Sequence, residues 1–138
     1  MVKVRPLGQK QLLGIAGHHA VVTDRKTEDG GSDVGCTSGE LLLLAIGSCA
    51  TGSLRNFLRQ SNLATDGLEI DVELEAPGKA GARDAIAIRV SLPAEILDGR
   101  LDEITTATQS GRVVSRMKLG SQVVVRCQPS NGSLRSAS

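Results

Sequence analysis

Apolar and polar residues alternate along Val2-Lys3-Val4-Arg5, and short apolar runs follow at Gln11-Leu12-Leu13-Gly14-Ile15 and His19-Ala20-Val21-Val22-Thr23. A period of two belongs to strands, whose successive side chains point to opposite faces, so residues 1–23 read as two or three strands in a meander. Leu7-Gly8-Gln9-Lys10 and Ala16-Gly17-His18 are the turns between them. Over residues 24–35 the periodicity lapses among three glycines and charges of both signs. The stretch is long for a connection, and reads either as a solvated lead-in to the next element or as a functional loop.

A long helix follows. Thr37-Ser38-Gly39-Glu40 is a capping box, in which the threonine accepts from the amide three residues on and the glutamate reaches back. No proline interrupts residues 40–60, a run roughly 30 Å long as a helix. Residues 41–46 are apolar on every side, the mark of a helix buried all round, so something must cover it. Small residues then surround one thiol, Cys49. Two of them, Gly47 and Gly52, each cost up to about 1 kcal/mol relative to alanine, which points to close packing there.

Leu68-Glu69-Ile70-Asp71-Val72-Glu73-Leu74-Glu75 alternates strictly and predicts a half-buried strand whose four carboxylates face solvent. A turn, Pro77-Gly78-Lys79-Ala80-Gly81, leads to a second alternating strand over residues 85–92, completing an antiparallel hairpin. Gly78-Lys79 lacks the glycine spacing of a phosphate loop. Pro93 stops the strand. Leu101, Ile104, Thr108, Gly111 and Val114 predict a second helix from Asp98 or Gly99 to about Lys118, closed by Gly120. Residues 123–127 (V-V-V-R-C) read as a last strand, and residues 129–138 have the composition of a disordered tail. The class is α+β, one domain over residues 1–128.

Composition narrows the chemistry. With 138 residues one domain is expected, and with no Trp, no Tyr and only Phe57 its core must be Leu, Val, Ile and Ala. Sixteen basic against fifteen acidic residues, mixed in sign, leave no field to drive nucleic-acid or membrane binding. Neither a signal peptide nor an 18-residue apolar run is evident, so a soluble, cytoplasmic protein is expected. Cys36, Cys49 and Cys127 form no C-x-x-C pair, which argues against a zinc site or a disulfide framework. His18 and His19 are adjacent and would point to opposite faces of a strand, so no metal is expected, and no cofactor.

Gly30-Gly31-Ser32-Asp33, followed by Gly39-Glu40-Leu41-Leu42-Leu43-Leu44-Ala45-Ile46-Gly47-Ser48-Cys49, resembles the OsmC/Ohr family of osmotically induced and organic-hydroperoxide-resistance proteins. The resemblance runs through nearly everything to Cys127. It implies an OsmC-like α+β fold existing as an intertwined homodimer, with two long helices enclosed by sheets from both subunits. In active members the helical cysteine attacks a hydroperoxide, becomes a sulfenic acid and is resolved by a second thiol heading a C-P-V-S-like segment. Cys49 matches the first thiol. The second segment is Arg112-Val113-Val114-Ser115-Arg116, with an arginine where the resolving cysteine would stand, and neither Cys36 nor Cys127 occupies that position. The glutamate of the hydroperoxide-resistance branch aligns with Gly39, one residue before Glu40, and its N-terminal arginine has Gln9-Lys10 as its approximate counterpart.

Two readings follow from the resemblance. In the first, Arg112 lies against Cys49 and favours the thiolate, giving a slow one-cysteine organic hydroperoxide reductase of peroxiredoxin-like chemistry that needs an external thiol reductant. A side-chain cation is needed because Cys49 is too far inside the helix for its N-terminal dipole to act. Catalytic roles then fall to Cys49, Arg112 and Glu40, and substrate binding to Arg25, Lys10 and Ser115, with Cys36 as an alternative resolving thiol. In the second reading Cys49 is a small hydrophobe, and Arg112 with Arg25 or Lys10 forms an anion pocket at the interface of a catalytically degenerate dimer that binds a small anionic or amphipathic ligand.

Overall fold

A computed structural model of the chain describes residues 1–75 and 85–118. The α+β class is as the patterning predicts. Strands β1 (Val2–Pro6), β2 (Leu12–Ala16) and β3 (His19–Thr23) form an antiparallel sheet in chain order. Ala16 pairs with His19, so Gly17 and His18 make a two-residue hairpin turn; Gly17 takes φ +62°, which glycine adopts without steric cost. A single 3-10 turn, Thr27–Asp29, lies in the loop that follows.

Helix α1 spans Ser38–Gln60, and both halves of its capping box form: Glu40 N donates to Thr37 Oγ1 at 3.2 Å and Thr37 N to Glu40 Oε2 at 2.8 Å. It ends at a left-handed Asn62 (φ +55°), with Leu63 N donating to the Leu58 carbonyl at 2.8 Å. Strands β4 (Glu69–Glu75) and β5 (Ala85–Ser91) pair antiparallel from Glu69↔Ser91 to Glu75↔Ala85. Glu69, Asp71 and Glu75 are exposed as expected, Glu73 is half-buried and makes an ion pair with Arg89, and the alternation fails at Leu74, which is exposed.

Beyond Pro93 a short unpredicted helix, α2 (Ala94–Leu97), comes first, and the single helix predicted from Asp98 or Gly99 to Lys118 is two: α3 (Leu101–Gln109) and α4 (Arg112–Lys118). The break at Ser110-Gly111 has two local causes. Ser110 Oγ donates back to the Ala107 carbonyl at 2.7 Å, and Gly111 meets α1 too closely for any side chain. The predicted turn at residues 77–81, the closing strand at 123–127 with Cys127, Gly120 and the tail all lie outside the described residues.

Two apolar clusters hold the body together. Leu54 and Leu58 of α1 pack with Ile96, Ile104 and Ala107; Ile46 and Ala50 pack with Val114, backed by Ile70, Val72, Ile86 and Ile88 of the hairpin. The expectation that α1 is buried all round is not met within the chain. Its buried residues form one stripe, Ile46, Ala50, Leu54 and Leu58, whereas Leu42 and Leu44 are 49% and 61% exposed. Of the two helical glycines, Gly47 does lie against Val72, but Gly52 has open space beside it. By length and composition α1 is long and apolar enough to cross a bilayer, its average carried by the leucines and Ile46, although Ser48, Thr51, Ser53, Arg55 and Asn56 interrupt any continuous apolar run, as expected. Packed on β4, α3 and α4, it is the core helix of a soluble-type domain.

Candidate functional site

The loop between β3 and α1 is built around one buried carboxylate. Asp24 is 4% exposed, and accepts from the amide of Arg25 at 2.7 Å, from those of Ser32 and Val34 at 3.1 and 3.3 Å, and from Gln11 Nε2 at 3.5 Å. Burial pushes the Asp24 carboxyl up, but these donors more than offset it and hold the group below the ordinary aspartate value. The glycines let the backbone fold onto itself: a β-carbon at Gly31 would strike the Arg25 carbonyl, one at Gly35 the Val22 carbonyl, and Gly30 takes φ +80°. The loop is thus folded around Asp24 and leads directly into the start of α1.

At that start Lys26 Nζ lies 3.0 Å from Glu40 Oε1 and 3.7 Å from Asp33. The Thr37 amide and then Lys26 hold the Glu40 carboxyl below its usual range, and Glu40 above all raises Lys26. Glu40 is therefore engaged in capping and in this ion pair. It lies nine residues before Cys49 on the same helix, roughly 13 Å along the axis.

Cys49 occupies the middle of α1, half-buried against Ile46, Ala50 and Val114. Its Sγ faces Gly111, the residue between α3 and α4. A β-carbon at Gly111 would collide with Cys49 Sγ and with Ser53 Oγ at 2.7 Å, so only glycine lets this junction reach the sulfur. Arg112, the next residue, opens α4 with an exposed side chain, and no ion pair joins it to any described residue. Ser115 Oγ donates to the Arg112 carbonyl at 3.3 Å.

The chain thus brings Cys49, Arg112 and Ser115 to one region and leaves Glu40 at the start of α1, Arg25 in the loop before it and Lys10 in the β1–β2 turn, the last two with exposed side chains. Cys36 stands two residues before α1, in a groove of about 600 Å³ lined also by Glu40, Gly47, Ser48, Ile70 and Val72. Gly47 faces β4 whereas Cys49 faces the α3–α4 junction, so the two sulfurs serve different sides of the helix. They are also separated by at least eleven helical residues, roughly 17 Å of axis, where a disulfide needs α-carbons within about 7 Å. Both thiols are free. Among the described residues no His, Cys, Asp or Glu cluster could hold a metal.

Sequence reasoning passed over Asp24, Lys26, Ser53 and Gly111. The first two sat in an aperiodic stretch, and Gly111 was counted as one more helical position; a Ser-Gly pair inside a helical pattern was the available signal of a break.

Among curated proteins none matches the chain. The sequence model of one family, OsmC-like protein, matches residues 30–126. The fold is shared with an osmotic stress induced and detoxification response protein from Psychrobacter arcticus 273-4, at a TM-score of 0.63 and 17% identity, covering 83% of this chain and 85% of that one. It is shared also with an organic hydroperoxide resistance protein OsmC from Legionella pneumophila, at a TM-score of 0.57 and 10% identity, covering 86% and 88%. The matched segment carries the end of the glycine-rich loop, α1 with Cys49, the β4–β5 hairpin and the Gly111 junction, and by that match the chain belongs to the OsmC-like protein family.

Proposed function

We propose that this protein is a one-cysteine organic hydroperoxide reductase, cytoplasmic and homodimeric, working through Cys49 with an external thiol as reductant. The observation that carries the reading is the seating of Cys49: half-buried in α1, its sulfur lies against Gly111, the residue just before the position where the family resemblance expects a second thiol and this chain has Arg112. Cys49, as its thiolate, attacks the distal oxygen of the hydroperoxide. The O–O bond breaks, the alkoxide leaves and takes a proton to become the alcohol, and sulfur is left as sulfenic acid. A first external thiol displaces water to form a mixed disulfide. A second releases the Cys49 thiol and leaves as the reductant's disulfide. Ser115 serves from within the chain, whereas Glu40, Arg25 and Lys10 serve a site completed by a second copy.

The dimer is supported by the uncovered apolar start of α1, where Leu42 and Leu44 face outward. Light scattering at micromolar concentration is expected to give twice the chain mass, and a stable folded monomer there would count against it. Cys49 also belongs to the Ile46, Ala50 and Val114 cluster, which favours the competing reading of a plain packing residue. Consumption of an organic hydroperoxide with dithiothreitol separates the two. The wild type is expected to turn over and to form a dimedone-trappable sulfenic acid on Cys49, while Cys49→Ser does neither; equal consumption by both proteins would remove the enzyme reading.

A further inference from the structure

Cys49 is the head of a polar stripe. Ser53, Asn56 and Gln60 follow it at spacings of four, three and four, which places all of them on one face of α1. From Ser53 onward that face forms one wall of a groove of about 610 Å³, and Asp102, Glu103 and Ser110 stand on the other, from α3 and its C-terminal cap. Cys49 is not itself among the lining residues, which begin one helical turn on at Ser53. Ser53 Oγ and Cys49 Sγ both lie against the point a Gly111 β-carbon would occupy, and Ser110 immediately precedes that glycine. The far end carries two carboxylates, both exposed. No basic side chain is among the lining residues: Arg112 follows Gly111 at the thiol end, and Arg55 and Arg59 do not line the groove.

From this we infer that the α1–α3 groove is the route by which the reducing thiol reaches Cys49, and that Asp102 and Glu103 make it select small cationic or neutral thiols over anionic ones. The inference rests on the one-cysteine reading above. The reductant has to bring its own sulfur in line with the Cys49 sulfur, so it must lie along a path ending there. The stripe of hydroxyls and carboxamides supplies donors and acceptors along that path. The carboxylates add a negative field where the rest of the reductant would lie, repelling a thiol with carboxylates of its own.

The test is the charge preference of Cys49 toward methanethiosulfonate reagents, which convert a thiolate to a mixed disulfide with loss of methanesulfinate and require no peroxidase activity. In a Cys36→Ser, Cys127→Ser background, the cationic 2-(trimethylammonium)ethyl reagent and the anionic 2-sulfonatoethyl reagent are compared with their rates on free cysteine. The cation-to-anion rate ratio is expected to exceed the free-thiol ratio by roughly threefold to tenfold at low salt. It should fall to the free-thiol ratio in Asp102→Asn/Glu103→Gln and in high salt. Both carboxylates are exposed, so neutralising them leaves the packed core untouched. A ratio equal to the free thiol, a ratio insensitive to the double variant, or a Cys49 unreactive with both reagents would overturn the assignment. Loss of hydroperoxide turnover with the charge preference intact would instead remove the peroxidase reading and leave the groove as the approach to the sulfur.

Discussion

The two β-units of this chain share antiparallel geometry and stand in opposite relation to the core. The β4–β5 hairpin supplies Ile70, Val72, Ile86, Ile88 and Val90 to the clusters around α1, and its outer edge is ionic. The β1–β3 sheet supplies nothing: neither cluster contains a residue before Ile46, and Val2 and Val4 are 64% and 65% exposed. What anchors that sheet is the polar loop at its end, where Asp24 gathers backbone amides from both sides of the glycine turn. Apolar burial is non-directional and scales with area, whereas amide bonds to one carboxylate fix a direction. One unit is therefore held by packing and the other by orientation, with its apolar side chains left for a cover from outside.

The largest effect that would break this comparison is a change in stability. Leu54 is fully buried, so Leu54→Ala is expected to cost about 2–5 kcal/mol in urea unfolding. Val4→Ala is expected to cost less than about 1 kcal/mol, as for other substitutions outside a core. A Val4 loss as large as the Leu54 loss would mean that the N-terminal sheet is packed as deeply as the body.

A second contrast lies within the body, between two glycines that look alike in sequence. At Gly111 a new methyl would collide with Cys49 Sγ and Ser53 Oγ; at Gly52 it would meet nothing within 4 Å. Gly111→Ala is therefore expected to destabilise by about 1–3 kcal/mol, as overpacking does, and to change the alkylation rate of Cys49 by displacing the α3–α4 junction. Gly52→Ala should be neutral or stabilise by up to about 1 kcal/mol through helix propensity alone. Thermal melts with iodoacetamide kinetics on both variants check this, and equal effects would show that the junction is looser than its geometry.

These contrasts mark how much was legible. Local signals were: Thr37 and Glu40 announced the start of α1, alternation announced β4 and β5, and Gly17 marked a hairpin turn. The cysteine of α1 was legible too, since its neighbours carry the family pattern. Non-local contacts were not. Nothing in the Leu101 to Val114 periodicity says that Gly111 will meet a sulfur sixty-two residues earlier, because a period reports which face is apolar and not what lies against it. Likewise Asp24 reads as a charged loop residue until its three amide donors are seen, and only then is it a buried organiser. Apolarity in the first turns of α1 was also misread as burial, since a sequence does not say whether its own chain or another supplies the cover.

The smallest expected effect sharpens the comparison at the loop. Asp24 ionises more readily folded than unfolded, so its contribution is present above the unfolded value near 3.8 and is lost as pH falls through the lower folded one. Protonation there would replace an acceptor shared by three amides with a group that also donates, loosening the anchor of the β1–β3 sheet before the apolar clusters respond. Limited proteolysis between pH 5 and pH 2 is expected to show cleavage within residues 24–36 rising while the body around Leu54 and Leu58 stays protected. Asp24→Asn lacks the titrating group and presents an amide to the same donors, so its loop should be cleaved more readily already at neutral pH and should change little on acidification. If the variant and the wild type instead share one acid profile, Asp24 does not orient the N-terminal sheet, and the division of the molecule into a packed unit and an oriented one fails at the residue that defines it.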